Sequence, residues 1–451
     1  MNFLKFIQKE LMHHQRKVPS SKTQVKPFDV ETMLEEVKRA KKTRVKKFHG
    51  PDSLLYSAIY PVVFTMKVFG LAPYDFTADQ LTPSNCCLVF TFAFMAIYCH
   101  IIYIVYLRFI SLHRDRAILT VVETTKVTVN YLVAMYDLVL TIFTRKAFSR
   151  IWNAQQDFDE RLSQLGYPRE EAKTKIATWI FLFSQIIVWT AVNQTGMYAF
   201  DETWLFNTSY MCLYVGTAAS AYKFFGMVSF LGQRFHQLNK IAKENLPPRV
   251  GYKSSRKGAY HTLIQHRAVF VPAVKLLSCL LDEKTIQELY NDLMLSSEAL
   301  GSIYSWSLFF WLANLSIHTI SNLYFIIDWV ILNWTSMSWL LISNMWCWLV
   351  GFIMQLLALH IACDYTTTEA NFMPVILIDW DARIVRRFPY DASDSFRTLH
   401  FLNRRLRFSA GGFFDIKLSL LTSLVKNYIQ MYYDVIFNPE NGGYTSYYDK
   451  W

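Results

Sequence analysis

Seven stretches of this chain are each near or above the length that a helix needs to cross a lipid bilayer: residues 86–107, 119–143, 177–197, 208–230, 303–331, 338–362 and 413–437. About 20 consecutive apolar residues span the hydrocarbon as a helix, and backbone polar groups find no water there, so they must be satisfied within the segment. This pattern predicts an all-α fold, a seven-transmembrane helical bundle. Composition agrees: only 18% of the 451 residues are charged and 53% are hydrophobic, against about 25% charged in an average soluble protein. Residues 54–73 are also apolar, but Pro61, Lys67, Gly70 and Pro73 interrupt them. They read as an interfacial or packed helix.

The net charge of +11 invites a nucleic-acid reading, but the basic residues sit between the apolar runs, which is a topology signal of membrane proteins. No nucleic-acid partner is expected. If the first 53 residues are cytoplasmic, the loops on their side of the membrane carry 37 Lys and Arg and the opposite loops carry 4. The N-terminus is therefore predicted cytoplasmic and the C-terminus extracellular. Lys5 and Lys9 interrupt the apolar residues at the start, and no cleavable signal peptide is read there. The organisation expected is 1–53 a cytoplasmic basic tail, 54–230 the pre-span helix with spans one to four, and 231–302 a cytoplasmic helical anchor. Spans five and six follow at 303–362, a cytoplasmic helix before the last span at 363–412, the last span at 413–437 and an extracellular tail at 438–451. Apolar residues at helical spacing in 232–302 predict that spans four and five continue as cytoplasmic helical extensions. Arg383–Arg407 reads as a further helix. Asn207 and Asn333 open N-x-S/T sequons in predicted outside loops, making glycosylation a weak expectation.

The last span is unlike a lipid-facing helix. Lys426, Gln430, Asp434 and Asn438 recur every fourth residue and share one slowly rotating face. A charge at membrane depth is costly unless it faces protein or water, so this helix has one wet face. The chain carries no G-x-S-x-G, H-E-x-x-H, P-loop or dinucleotide fingerprint. No enzyme activity and no cofactor are expected. The seven cysteines show no zinc-site spacing and read as small core residues, and no metal site is expected.

Three stretches resemble the insect gustatory receptors, relatives of the insect odorant receptors. They are Met66–Phe76 (MKVFGLAPYDF), the Asn291–Trp329 region that opens NDLMLSSEALGSIYSW, and Leu402–Leu424 (LNRRLRFSAGGFFDIKLSLLTSL). The last span of that family usually carries Thr-Tyr, five apolar residues and Gln-Phe. Aligned without a gap from Ser419, those places hold Gln430-Met431 and Phe437-Asn438; shifted by one residue, Tyr432 matches the Tyr and Asn438 replaces the Gln. The resemblance implies a tetrameric ligand-gated cation channel, a homo- or hetero-tetramer with sister subunits. It also implies a site in the plasma membrane of a sensory neuron, a pore lined by the last span, and a small-molecule pocket among the other spans.

Under that resemblance, Asp434 and Asn438 form rings near the outer mouth and Gln430 lies one turn deeper. Phe437 or Ile436 serves as an apolar gate. Lys426 faces the axis, points between helices or snorkels. The alternative is that these polar residues bond between helices of a monomer. The candidate ligand contacts are Lys126, Asn130, Trp189, Asn193, Tyr214, Asn322, Asp328, Asn344 and Trp346, because aromatic walls with a few fixed polar groups suit a small molecule. Tyr210, Tyr324 and Trp339 lie at the same level. Against this stand an interfacial aromatic belt and simple helix-tying hydrogen bonds. Lys126 has two readings, a neutral amine able to add carbon dioxide, which some members of the family sense, or an ordinary buried pair with Asp328 or Asn130. Asp137 and Lys223 read as a structural ion pair or as snorkelling groups. The rival functions are a seven-helix receptor signalling through intracellular partners, which needs the reverse orientation if it is G-protein-coupled, and a membrane transporter, which needs paired broken helices that are not apparent.

Overall fold

The computed structural model describes residues 54–77, 80–111, 117–168, 171–246, 283–332, 339–385, 401–423 and 426. The chain divides into two units, Met1–Lys46 and Lys47–Trp451, and the described residues all belong to the second. Among the described residues, seven long helical elements carry the fold: α1 (Leu54–Val68), α2 (Asn85–Ser111), α3 (Ala117–Gln164), α4 (Glu171–Phe200), α5 (Trp204–Glu244), α6 (Glu283–Leu332) and α7 (Trp339–Val385). Five of them, α2, α3, α4, α6 and α7, are long and apolar enough to cross a membrane. The chain is a multi-pass membrane protein. The six expected spans from 86–107 to 338–362 lie in α2 to α7. Of the seventh, 413–437, the described part is helical at 418–423 and 426. With 15 residues, α1 is about 22 Å long, short of the roughly 30 Å of hydrocarbon. It packs on α4 and α5, as a packed helix should.

Several helices far outrun a bilayer. α3 has 48 residues, α6 has 50 and α7 has 47, lengths of about 70–75 Å at 1.5 Å per residue. α5 continues to Glu244 and α6 begins at Glu283, so the spans expected at 208–230 and 303–331 do extend as helices. Of the expected Arg383–Arg407 helix, residues 383–385 and 401–403 are helical, and 386–400 lie outside the described residues. α7 itself reaches Val385, and residues 404–408 carry no helix.

α5 is the central helix, packed on α7, α3, α6, α4 and α2. Its run Gly216-Thr217-Ala218-Ala219-Ser220-Ala221 is buried throughout, and small side chains let neighbouring helices approach closely. A Cβ on Gly216 would fall 2.0 Å from the Tyr98 hydroxyl of α2. Among the described residues, α5 shows no large exposed hydrophobic beyond Leu205, whereas α2 and α4 expose Phe92, Tyr103, Ile180, Phe183 and Ile187. The bundle thus turns its apolar surface outward and its small and polar groups inward. Farther along α5, Arg234 is 1% exposed. Its guanidinium grips both oxygens of Asp159 on α3, with Nε donating at 2.9 Å, and Nη1 donates to the Phe230 carbonyl at 3.1 Å.

Among the described residues, two small antiparallel strand pairs qualify the all-α expectation; the first begins within Met66–Phe76 and the second lies within Leu402–Leu424, two of the stretches that carried the family resemblance. β1 (Tyr74–Thr77) pairs antiparallel with β2 (Gln80–Pro83). It follows α1, which ends in a Schellman motif, with Gly70 N–H donating to Lys67 O and Leu71 N–H to Met66 O. Gly70 has φ +71° there, and a side chain would press on Phe94 and Thr91. β3 (Ser409–Ala410) pairs with β4 (Phe414–Asp415) around Gly411 (φ +60°) and Gly412 (φ +81°).

The second hairpin is pinned to α6 and α7. Ser305 Oγ donates to Ser409 O, and Gly411 N–H donates to Ser305 O. Asn371 of α7 exchanges two hydrogen bonds with the Leu406 backbone. Arg404 binds both carboxylate oxygens of Glu298 and the Asn291 side chain, with Phe408 buried against Phe224. The second and third resembling stretches are therefore direct partners.

Removing the guanidinium of a buried pair leaves a desolvated carboxylate. Arg234→Met should destabilise the protein by about 3–5 kcal/mol, read as a lowered melting temperature of purified protein. Adding Asp159→Leu should restore much of that loss, since replacing both partners removes the stranded charge.

Candidate functional site

Where α4 turns into α5 at residues 200–204 and α6 and α7 have their facing ends, aromatic side chains from four helices converge. Tyr214 of α5 is the hub. Its ring centroid lies 4.8 Å from Trp348 of α7, 5.2 Å from His318 of α6 and 5.2 Å from Tyr210. Phe352 stacks on His318 at 4.7 Å and on Trp348 at 5.5 Å, and Trp189 of α4 meets Trp348 edge-on at 5.8 Å. Tilted and edge-to-face contacts at these distances are favourable beyond area burial. The Tyr210 and Tyr214 hydroxyls are 3.1 Å apart.

Two sets of amides flank the rings. Asn207 of α5 donates from Nδ2 to the backbone O and Oδ1 of Asn193, each at 2.7 Å. Asn344 of α7 donates to Val192 O at 3.0 Å and Thr195 Oγ1 at 2.9 Å. Gly196 lets this node close, because a Cβ there would lie 3.0 Å from Asn207 Oδ1 and 3.2 Å from Asn344 Nδ2. On the opposite side, α3 and α6 meet along a polar seam. Lys126 Nζ donates to Glu123 Oε1 at 2.8 Å and to Asn322 Oδ1 at 3.3 Å, over the Phe325 ring. Asn314 Nδ2 donates to Asn130 Oδ1 at 2.9 Å. Asn130 Nδ2, Asn314 Oδ1 and His318 Nε2 are buried with no hydrogen-bond partner among the described residues. A buried polar atom without a partner invites a water or a ligand, so the seam offers donors and acceptors beside an aromatic wall.

Seven of the nine expected ligand residues, Lys126, Asn130, Trp189, Asn193, Tyr214, Asn322 and Asn344, are buried at this end of the bundle. Trp346 is not brought to it. Its side chain is 51% exposed, and Trp348, two residues on and so on the other side of the helix, fills the inward place. Asp328 belongs to α6, but its side chain lies outside those described. The partner of Lys126 is Glu123, a residue that sequence reasoning passed over, which makes Lys126 an ordinary buried ion pair. Glu123, His318, Trp348 and Phe352 were all missed as site residues. One signal pointed to the last two: Asn344, Trp348 and Phe352 recur every fourth residue, the same rule that exposed the stripe of the last span.

Asp137 and Lys223 are not paired with each other. Asp137 accepts from Ser307 Oγ at 3.0 Å and Trp311 Nε1 at 2.7 Å. Lys223 donates to Leu71 O at 2.8 Å. Among the candidate pore residues, Gln430, Asp434, Phe437 and Asn438 lie outside the described residues, and Lys426 is helical and exposed. Among the described residues, no three His, Cys, Asp or Glu side chains gather as metal ligands.

A bundle with several helices long and apolar enough to cross a membrane, and an aromatic and amide cluster at one end, is the architecture of a multi-pass membrane protein. The sequence profile of the 7tm chemosensory receptors matches residues 59–426, and the chain belongs to that family of insect chemoreceptors. Two similar solved structures are those of the insect olfactory receptor OR5 from Machilis hrabei, alone and in complex with eugenol. They have TM-scores of 0.54 and 0.53 at 12% identity, covering 85% and 86% of this chain and 98% and 99% of theirs. At that identity the shared property is the fold. No curated protein matches the chain by sequence.

The inward use of Asn207 bears on its sequon. A glycan needs the Nδ2 that here serves Asn193. Asn207→Gln should therefore leave the electrophoretic mobility of the expressed protein unchanged, with glycosidase treatment of both forms as the control. A band that shifts only with wild type would place sugar on Asn207.

Proposed function

We propose that the chain is a gustatory receptor subunit that acts as a ligand-gated cation channel opened by a small molecule. It works as a homo- or hetero-tetramer with sister subunits in the plasma membrane of a sensory neuron, N-terminus inside. The carrying observation is the ring cluster around Tyr214 with unpartnered polar atoms beside it, in a chain of the chemosensory family. In this orientation the cluster lies in the outer half of the bundle, within reach of a tastant arriving from outside. The pinned hairpin at Ser409–Asp415 then delivers the chain from the cytoplasmic anchor into the last span. Four copies of that span around one axis turn Asp434 into a carboxylate ring that concentrates cations, with Gln430 and Asn438 as amide rings and Phe437 as the gate. Tastants with an apolar body and one or two hydrogen-bonding groups fit the chemistry of the cluster. The Glu123–Lys126 pair argues for an ordinary ammonium and against a neutral amine poised to add carbon dioxide, so that gas belongs in the test panel without Lys126 as its carrier.

Expression with and without sister chains, with currents recorded to sugars, bitter compounds and carbon dioxide, tests the reading. Trp348→Ala should raise the half-maximal concentration of the active compound by about ten-fold or more, the scale of a buried aromatic anchor. Asp434→Asn should change ion permeability or rectification without that shift. Currents that need intracellular nucleotide or G protein would favour the coupled-receptor alternative, and saturable flux without unitary conductance would favour a transporter.

A further inference from the structure

A cavity lies away from the Tyr214 cluster and shares none of its ring residues. It measures about 400 Å³ and sits among α1, the segment that follows it, and α3, α4 and α5. Its walls are mostly apolar, with Val62 and Met66 from α1, Phe181 from α4, and Met227 and Phe230 from α5. Set into these walls are two cations and an indole.

The two cations differ. Lys67 has a carboxylate in contact, Asp75, at 3.0 Å. Lys223 is 8% exposed and touches none among the described residues. Its ammonium donates to Leu71 O at 2.8 Å and the Tyr74 hydroxyl at 3.4 Å, and lies 4.4 Å from the Phe148 ring centroid. An ammonium has three protons, and two are accounted for by oxygen acceptors. Asp137 gives its oxygens to Ser307 and Trp311 instead. Trp152 also lines the cavity. It is 6% exposed, and its Nε1 is buried with no hydrogen-bond partner among the described residues. A buried cation without a contacting anion and an indole N–H without an acceptor are both costly, and both call for oxygen of negative or partly negative charge.

Gly226 supplies the third observation. Glycine inside a helix is destabilising relative to alanine. At Gly216 and Gly232 of the same helix close neighbours explain it, because a Cβ would fall 2.0 Å from Tyr98 and 2.6 Å from Thr366. At Gly226, which lines the cavity, a Cβ would meet nothing within 4 Å. The missing side chain keeps space open and serves no packing there.

We propose that this cavity is a binding site for a free fatty acid, its carboxylate held by Lys223 and the Trp152 indole N–H and its chain lying along α1 between Phe181 and Met227. The volume falls within the range of small-molecule pockets, and a carboxylate supplies the acceptor that both donors lack. Leu71 and Tyr74, which share Lys223, belong to the segment that ties α1 to the bundle, so the ligand bears directly on how α1 is held.

The test uses the full chain purified into detergent and a dodecanoic acid carrying a diazirine on its chain. Cross-links should map to peptides of α1, α4 and α5 that line the cavity. Unlabelled dodecanoate should compete, and methyl dodecanoate should compete about ten-fold more weakly or worse, the scale of a charged hydrogen bond. Lys223→Gln should remove that preference for the acid. Gly226→Leu, whose Cβ would meet nothing within 4 Å, should abolish the cross-links while the melting temperature stays at or above wild type. The proposal falls if cross-links map to the Tyr214 cluster or elsewhere, or if they survive Gly226→Leu. It also falls if the methyl ester competes as well as the acid, which would mark the cavity as a place for hydrocarbon or bilayer lipid chains alone. None of these readouts depends on channel activity, so failure here and failure of the channel reading are separable.

Discussion

A polar group carried into a bilayer must find its partner inside the protein, and the fold of this chain follows from that requirement. α5 shows it most clearly. Along its length lie Asn207, Tyr214, Thr217, Ser220, Lys223, Arg234 and Asn239, nearly all buried. They have partners on α3, on α4 and on the segment after α1, and Asn239 reaches Glu369 on α7. Such a helix is poorly suited to lipid and well suited to the centre of a bundle. Its neighbours α2 and α4 meet the lipid in its place, with rows of Phe, Ile and Tyr turned outward.

The same requirement divides the molecule into functional levels. At one end the rings around Tyr214 and the amides of Asn193, Asn207 and Asn344 form a wall that is apolar with fixed polar points. In the middle, Asp137 accepts from two donors of α6, and Lys223 donates to the segment after α1. Toward the other end, Arg404 binds Glu298 and Asn291, and Ser305 receives the hairpin that leads into residues 418–426. α6 takes part in all three levels, through His318, through Trp311 and Ser307, and through Ser305 and Glu298. A shift of this one helix would be felt from the aromatic cluster to the lead-in of the last span.

Most of the helical fold was legible because its signal is local. Apolar run length located six of the described helices, and Pro61 with Gly70 marked α1 as a short packed helix. The helix that continues to Val385 was less legible, because hydropathy drops where helical backbone need not stop. The hairpins escaped because their strands are two to four residues long and depend on tertiary bonds, from Asn153 to Leu81 in the first and from Asn371 and Ser305 in the second. The site was legible by residue type but not by direction. Every-fourth-residue spacing gathers Asn344, Trp348 and Phe352, yet Trp346 looked equally suitable until the helix was oriented. Glu123 was missed although its i, i+3 spacing from Lys126 is a local signal of pairing, because Asp328 and Asn130 were read as the partners.

Lipid exposure along the helices tests this account most directly. A small apolar diazirine dissolved in the bilayer, photolysed with the full chain in nanodiscs and mapped by mass spectrometry, should label the Phe92, Tyr103, Phe183 and Ile187 faces of α2 and α4 and leave residues 213–221 of α5, ahead of the cavity-lining stretch, unlabelled. Labelling of residues 213–221 as strong as that of α4 would contradict a central helix turned away from lipid.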